Sequence, residues 1–137
     1  MAQFEGNWML VESQNYGALL ERLGIWRTVR KMSAATNHYM TIKFIAPDQM
    51  TVINKSSLCE VQYTFRFGEE FEYDDATGRR VTAVFELVSP NKLIEKQRLP
   101  QTTFEIVREV FGDTIFMSAK YKDVSCSRKY TRHDGQD

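Results

Sequence analysis

Val61-Gln62-Tyr63-Thr64-Phe65-Arg66-Phe67 alternates apolar and polar residues without a break, and Gly68 closes it. Side chains two apart on a strand share a face, so Val61, Tyr63, Phe65 and Phe67 form one apolar side of a half-buried strand. The pattern spreads outward in both directions. Upstream, Met40-Thr41-Ile42-Lys43-Phe44 alternates and stops at Pro47-Asp48, and Met50 to Asn54 follows. Downstream, a polar loop at 74–79 separates Phe71 from a strand at 81–88, which pairs with 92–99 around Ser89-Pro90-Asn91. Residues 104–110 and 114–121 flank Phe111-Gly112-Asp113, and 124–131 is the last strand. Short alternating segments divided by regular turn signals are the pattern of a sandwich or barrel. The nine Phe, six Tyr and two Trp against three Pro and seven Gly point the same way.

The first third reads differently. Residues 5–13 suit a strand, but Tyr16, Leu19, Leu20 and Leu23 fall at helical spacing, with Asn15 as N-cap and Gly24 as stop. A second helical pattern places Ile25, Val29 and Met32 on one side and Arg27, Arg30 and Lys31 on the other. The expected order is one strand, a helix-turn-helix and about nine antiparallel strands. Residues 132–137 are polar and are expected to fray.

Composition narrows the function. Eighteen Lys and Arg balance eighteen Asp and Glu, which leaves no basic excess for nucleic acid. No apolar run approaches the roughly 18 residues of a membrane helix, and the start, Met1-Ala2-Gln3-Phe4-Glu5, does not read as a secretory signal. Two cysteines, Cys59 and Cys126, make no disulfide framework, so a reduced cytoplasmic protein is expected. The two histidines, His38 and His133, have no metal-ligand spacing and neither cysteine has a neighbouring His. No nucleophile is assembled with a base. The sequence therefore predicts neither an enzyme nor a bound metal or cofactor.

Two arginines stand in the wrong place. Arg108 shares a face with Phe104, Ile106 and Val110, and Arg128 shares one with Val124, Cys126 and Tyr130. A guanidinium cannot shed its charge, and burying it alone costs several kcal/mol. One reading is an internal ion pair, with Glu95 as the counter-ion. The other is a cavity in which both guanidiniums and the Tyr130 hydroxyl await an anion carried by the ligand, a carboxylate fitting the fork best. On the second reading Arg108 costs stability in the empty protein, and the rest of the ligand is hydrocarbon. Cys59 and Cys126 read as small packing thiols rather than redox devices, with a lowered thiol pKa beside Arg128 as the alternative at Cys126.

These residues resemble a known family. Gly6-Asn7-Trp8-Met9-Leu10 and, four residues on, Asn15-Tyr16-Gly17-Ala18-Leu19-Leu20-Glu21-Arg22 resemble the N-terminal signature of the intracellular fatty-acid-binding proteins, the cytosolic lipid-binding proteins. Phe65-Arg66-Phe67-Gly68-Glu69-Glu70-Phe71 matches a family segment, and Arg128-Lys129-Tyr130 resembles the Arg-x-Tyr motif, with Arg108 at the family's spacing upstream. The stretch 107–113 looks most like flatworm-type members. The resemblance implies a single domain over 1–131: an all-β, ten-stranded antiparallel β-barrel (a β-clam of the calycin type) with a helical lid at about 15–35. It implies a monomeric carrier of long-chain fatty acids, or of another hydrophobic carboxylate such as retinoic acid. Arg108, Arg128 and Tyr130 would hold the carboxylate. Tyr16, Leu20, Ile25 and Ser33 would sit under the lid, Leu58, Ala76 and Arg79 near the portal, and Met40, Phe104, Met117 and Ala119 along the wall. Gly17 and Leu58 depart from the family pattern, which expects an acid and often a gating Phe there. The cations Arg22, Arg27, Arg30 and Lys31, with Trp26 beside them, predict transient docking of the lid on anionic membranes.

Overall fold

The alternation noted in the sequence becomes a continuous antiparallel ladder in a computed structural model, which describes residues 3–24, 38–57, 59–75 and 78–133. The elements are β1 (Gly6–Gln14), α1 (Tyr16–Arg22), β2 (Tyr39–Ala46), β3 (Gln49–Lys55), β4 (Glu60–Arg66), β5 (Phe71–Asp74), β6 (Arg80–Ser89), β7 (Lys92–Arg98), β8 (Thr103–Phe111), β9 (Thr114–Tyr121) and β10 (Val124–His133). Their order in the sheet is β4-β3-β2-β1-β10-β9-β8-β7-β6-β5, so chain neighbours pair except where β1 joins β10. The architecture is all-β: ten antiparallel strands curled into a nearly closed barrel, as expected. The second predicted helix lies outside the described residues.

β4 and β5, the two ends of the sheet, share no ladder. Aromatic rings bridge them instead. Tyr63 stacks on Tyr73 at 4.1 Å between ring centres, Phe65 on Phe71 at 5.3 Å, and Phe85 on Phe65 at 4.0 Å. Such contacts contribute about 0.5–1.5 kcal/mol each beyond their burial. They come from the alternation that defined β4 in the sequence.

The opposite end of β1 is tied down by Arg132. Trp8 and Phe4 are fully buried, and Trp8 Nε1 donates to the Phe4 carbonyl at 3.0 Å. The Arg132 guanidinium lies 4.2 Å over the Trp8 ring and donates to the carbonyls of Glu5 (2.6 Å) and Gln3 (3.1 Å) and to Asp113 (3.1 Å). Gly6, at φ 135°, lets it in: a Cβ there would stand 2.5 Å from Arg132 Nη1. The expected frayed tail is therefore corrected at its start. Arg132 and His133 belong to β10 because this cation closes the barrel base.

α1 forms where expected, but its entry differs. Asn15 adopts a left-handed conformation, φ 64°, and makes no side-chain cap. Its Nδ2 reaches the Ser125 carbonyl at 3.3 Å, which fastens the turn to β10. Leu19 and Leu20 are buried beneath the helix, and Gly24, at φ 87°, follows its end.

Candidate functional site

A cavity of about 1000 Å³ of atom-free space, partly continuous with solvent, lies between α1 and the inner faces of β4, β5 and β7–β10. Its apolar lining includes Leu20, Phe104, Ile106, Met117 and Ala119, and its polar lining includes Tyr16, Arg79, Glu95, Gln97, Arg108, Arg128 and Tyr130. Apolar walls with a few placed polar groups suit a ligand that is hydrocarbon with one polar end.

Register brings Arg108 and Arg128 together. Both face Met117, one from β8 and one from β10. Each strand step is ~4.8 Å, so the two backbones are about 10 Å apart. The 20-residue separation is two hairpins that return to the same level of the barrel.

Their surroundings differ. Arg108 Nη1 lies 3.1 Å from Glu95 Oε1. Glu95 is fully buried, and its Oε2 accepts the Tyr73 hydroxyl and Gln97 Nε2, the latter at 2.8 Å. Gln97 Oε1 in turn accepts Arg79 Nη2 at 2.6 Å, and Arg79 Nε stands 3.5 Å from Asp75 Oδ2, buried and without a hydrogen bond. The whole forms one polar wall on β5–β8. Burial opposes the charge on Arg108, but the carboxylate of Glu95 and the nearby phenols hold its pKa above the ordinary value. Burial likewise raises the Tyr63 and Tyr73 phenols. Of the two readings available from sequence, the ion pair with Glu95 is what Arg108 adopts. The expectation of an uncompensated charge there is corrected.

Arg128 has no such partner. Its Nε donates to Ser13 Oγ at 3.2 Å and its guanidinium lies 4.0 Å over the Tyr16 ring. Among the described residues no carboxylate pairs with it. Tyr130, two residues on, shares its face and the cavity. Burial pushes the Tyr16 phenol up to about 12, against the pull of Arg128. Cys126 packs in the core rather than taking the alternative of a lowered thiol. Burial raises its thiol, and Arg128 lowers it by less.

The remaining expected residues separate clearly. Tyr16, Leu20, Arg79, Phe104, Met117 and Ala119 line the cavity. Met40 does not: it is buried opposite Trp8 in the β1–β2 ladder. Arg22 is paired with Asp123 at 2.8 Å on the exposed side of α1, so it is not a free cation of the lid. Ile25, Trp26, Arg27, Arg30, Lys31, Ser33, Leu58 and Ala76 lie outside the described residues. Tyr63 and Tyr73 were missed. Their signal was period-2 alternation, which marks a residue as inward without telling a phenol that packs from one that bonds.

No family model matches the chain. The 14 kDa fatty acid-binding protein of Schistosoma mansoni is 36% identical over 132 residues, covering 96% of this chain and 98% of that protein. The chain belongs to the fatty-acid-binding protein family. A solved structure described as Schistosoma mansoni fatty acid binding protein in complex with arachidonic acid superposes with a TM-score of 0.89 over 98% of both chains, at 36% identity. The family reaches further: the cellular retinoic acid-binding protein 2 of Rattus norvegicus is 30% identical over 140 residues, covering 96% of this chain and 99% of that one. Among the described residues no helix is long and apolar enough to cross a membrane.

Proposed function

We propose that this chain binds long-chain fatty acids non-covalently and carries them through the cytoplasm as a monomer. The observation that carries the reading is Arg128: a cavity-lining guanidinium, sharing a strand face with Tyr130, with no carboxylate partner among the described residues. The ligand's carboxylate would accept from Arg128 and Tyr130, and Arg108 would lend the N–H groups that Glu95 leaves unused. The chain would lie along Phe104, Met117 and Ala119. Burying about 15 methylenes at ~0.8 kcal/mol each gives about 12 kcal/mol gross. Immobilisation and desolvation reduce this, and sub-micromolar affinity survives. The flatworm relatives support an acyl ligand. The retinoic acid-binding relative supports a second reading with the same headgroup chemistry and a stiffer chain.

Organic extraction of the purified protein, followed by mass spectrometry, tests the reading. Long-chain fatty acids are the expected co-purified lipid; a retinoid carboxylate would move the assignment to the second reading, and neutral lipid alone would overturn both.

Membrane docking of the lid belongs to the same proposal. With Arg22 engaged by Asp123, it rests on Trp26, Arg27, Arg30 and Lys31. Each basic residue near an anionic surface contributes about 1 kcal/mol. Transfer of a fluorescent fatty acid to vesicles is expected to speed up with anionic lipid and to slow for Arg27→Glu with Lys31→Glu. A rate indifferent to vesicle concentration would show that the ligand leaves through water.

A further inference from the structure

The cavity carries its own charge balance. Among the described residues that line it, Arg79, Arg108 and Arg128 are half-buried cations, and Asp75 and Glu95 are the carboxylates. Lys55 and His38 line it as well; Lys55 pairs outward with Glu60 at 3.9 Å. Arg79 is matched by Asp75 at 3.5 Å and Arg108 by Glu95 at 3.1 Å. Among these described arginines one positive charge, that of Arg128, is left over.

We propose that Glu95 is a resident counter-ion that sets the ligand's charge, making the site selective for singly charged headgroups against doubly charged ones. The proposal rests on the reading of the cavity as a carboxylate site. It follows from the geometry of the wall. Glu95 is fully buried, and both its oxygens are engaged, by Arg108 on one side and by Tyr73 and Gln97 on the other. It cannot swing to solvent without stranding three partners. The ligand's headgroup therefore meets Arg108 as half of a neutral pair, able to donate hydrogen bonds but contributing little net attraction. A monoanion at Arg128 completes the balance. A dianion would bring one negative charge more than these described arginines and carboxylates offset, in a site where charges a few ångströms apart interact more strongly than in water.

The test uses two single-chain amphiphiles of equal length, tetradecyl sulfate and tetradecyl phosphate. At pH 8 they present similar tetrahedral headgroups that differ by about one charge. Oleate and methyl oleate are measured beside them by displacement of a fluorescent fatty acid, below micellar concentrations. The wild-type protein is expected to favour oleate over its ester and the sulfate over the phosphate. Glu95→Gln keeps a polar side chain for Tyr73 and Arg108 and removes the charge. It is expected to shift the phosphate-to-sulfate affinity ratio about tenfold toward phosphate. Arg108→Leu strands Glu95 and is expected to shift the ratio the other way, and adding Glu95→Gln to it should recover that shift. Should Glu95→Gln alone not fold, the comparison of Arg108→Leu with the double variant carries the same readout. A ratio unchanged within about twofold on neutralising Glu95, with oleate still preferred over its ester, would overturn the role of Glu95 and leave the carboxylate reading standing. A wild-type protein that does not distinguish oleate from methyl oleate would instead remove the carboxylate reading on which the proposal depends.

Discussion

Arg108 and Arg128 flank the same residue, Met117, carry the same charge and face the same cavity, yet the barrel treats them oppositely. On the β5–β8 wall, Arg108 is locked to a fully buried carboxylate that is itself held by Tyr73 and Gln97. On the β1–β10 wall, Arg128 has a hydroxyl, an aromatic face and, among the described residues, no carboxylate. The first arrangement is complete without a ligand. The second, on the proposed reading, is completed by one. On that reading two identical side chains serve different ends, structure and recognition, and their neighbours decide which.

The comparison breaks first, and most visibly, at Arg108. Arg108→Leu leaves the fully buried Glu95 carboxyl without its cation. Removing one partner of a buried pair costs about 3–5 kcal/mol. The delipidated protein is expected to lose about 3 kcal/mol of stability in urea denaturation. A loss below about 1 kcal/mol would mean that water reaches Glu95 and that the wall is not closed. This expectation reverses the one drawn from sequence, in which Arg108 was an uncompensated cost.

Arg128→Gln is the mirror experiment. It strands no buried carboxylate, so its stability loss should be the smaller of the two. Its effect falls on the ligand: a charge-assisted hydrogen bond contributes about 1.5–3 kcal/mol, so oleate should weaken by about ten- to hundredfold. Methyl oleate, which brings no negative charge, should weaken far less. Equal losses for acid and ester would return Arg128 to a structural role and erase the contrast.

The difference between the two arginines also marks the limit of what the sequence makes legible. Period 2 is a local property, so the strands, their inward faces and the anomaly of a cation on each apolar face could all be read from residues 40–131. The twenty-residue spacing came from the family resemblance, and hairpin register gives it a physical reason: two hairpins return the chain to the same level. Glu95 and Gln97 follow Leu93 at the same inward period and carried the same anomaly as Arg108. What could not be read is which carboxylate meets which guanidinium. That depends on the diagonal reach of side chains across β7 and β8, not on periodicity. Asn15 fails for a similar reason. Its residue type suits a cap, but the sharp turn from β1 into α1 demands a left-handed backbone, and its side chain is drawn to β10. Arg132 looked like tail because its partners, Trp8 and the carbonyls of Gln3 and Glu5, lie at the other end of the chain.

A finer probe of the closed wall is Tyr73→Phe. The Tyr73 hydroxyl donates to Glu95 Oε2, which retains Gln97 when the phenol is lost. Losing one buried donor to a charged acceptor is expected to cost about 1–2 kcal/mol, less than the loss of Arg108. Oleate affinity should stay within about threefold, since the charge balance is untouched. A larger change in affinity than in stability would place the phenol in the ligand's path and blur the boundary between the two walls.

The smallest effect is expected at Tyr16, which seals Arg128 from the lid side. Burial raises its phenol from an ordinary 10 to about 12. Between these values the unfolded chain releases the proton while the native state keeps it. The native state then binds more protons, and stability falls as pH rises. The contribution is whole below pH 10 and gone above about pH 12. One proton's difference gives a slope of at most about 1.4 kcal/mol per pH unit. Tyr63 and Tyr73 are also raised, so some alkaline loss persists in any single variant. Tyr16→Phe should therefore flatten the decline across this window without abolishing it, as read from urea midpoints at stepped pH. Wild type and variant declining in parallel would mean that water already reaches the phenol in the native state. Arg128 would then sit at an open mouth, and α1 would not separate its charge from solvent.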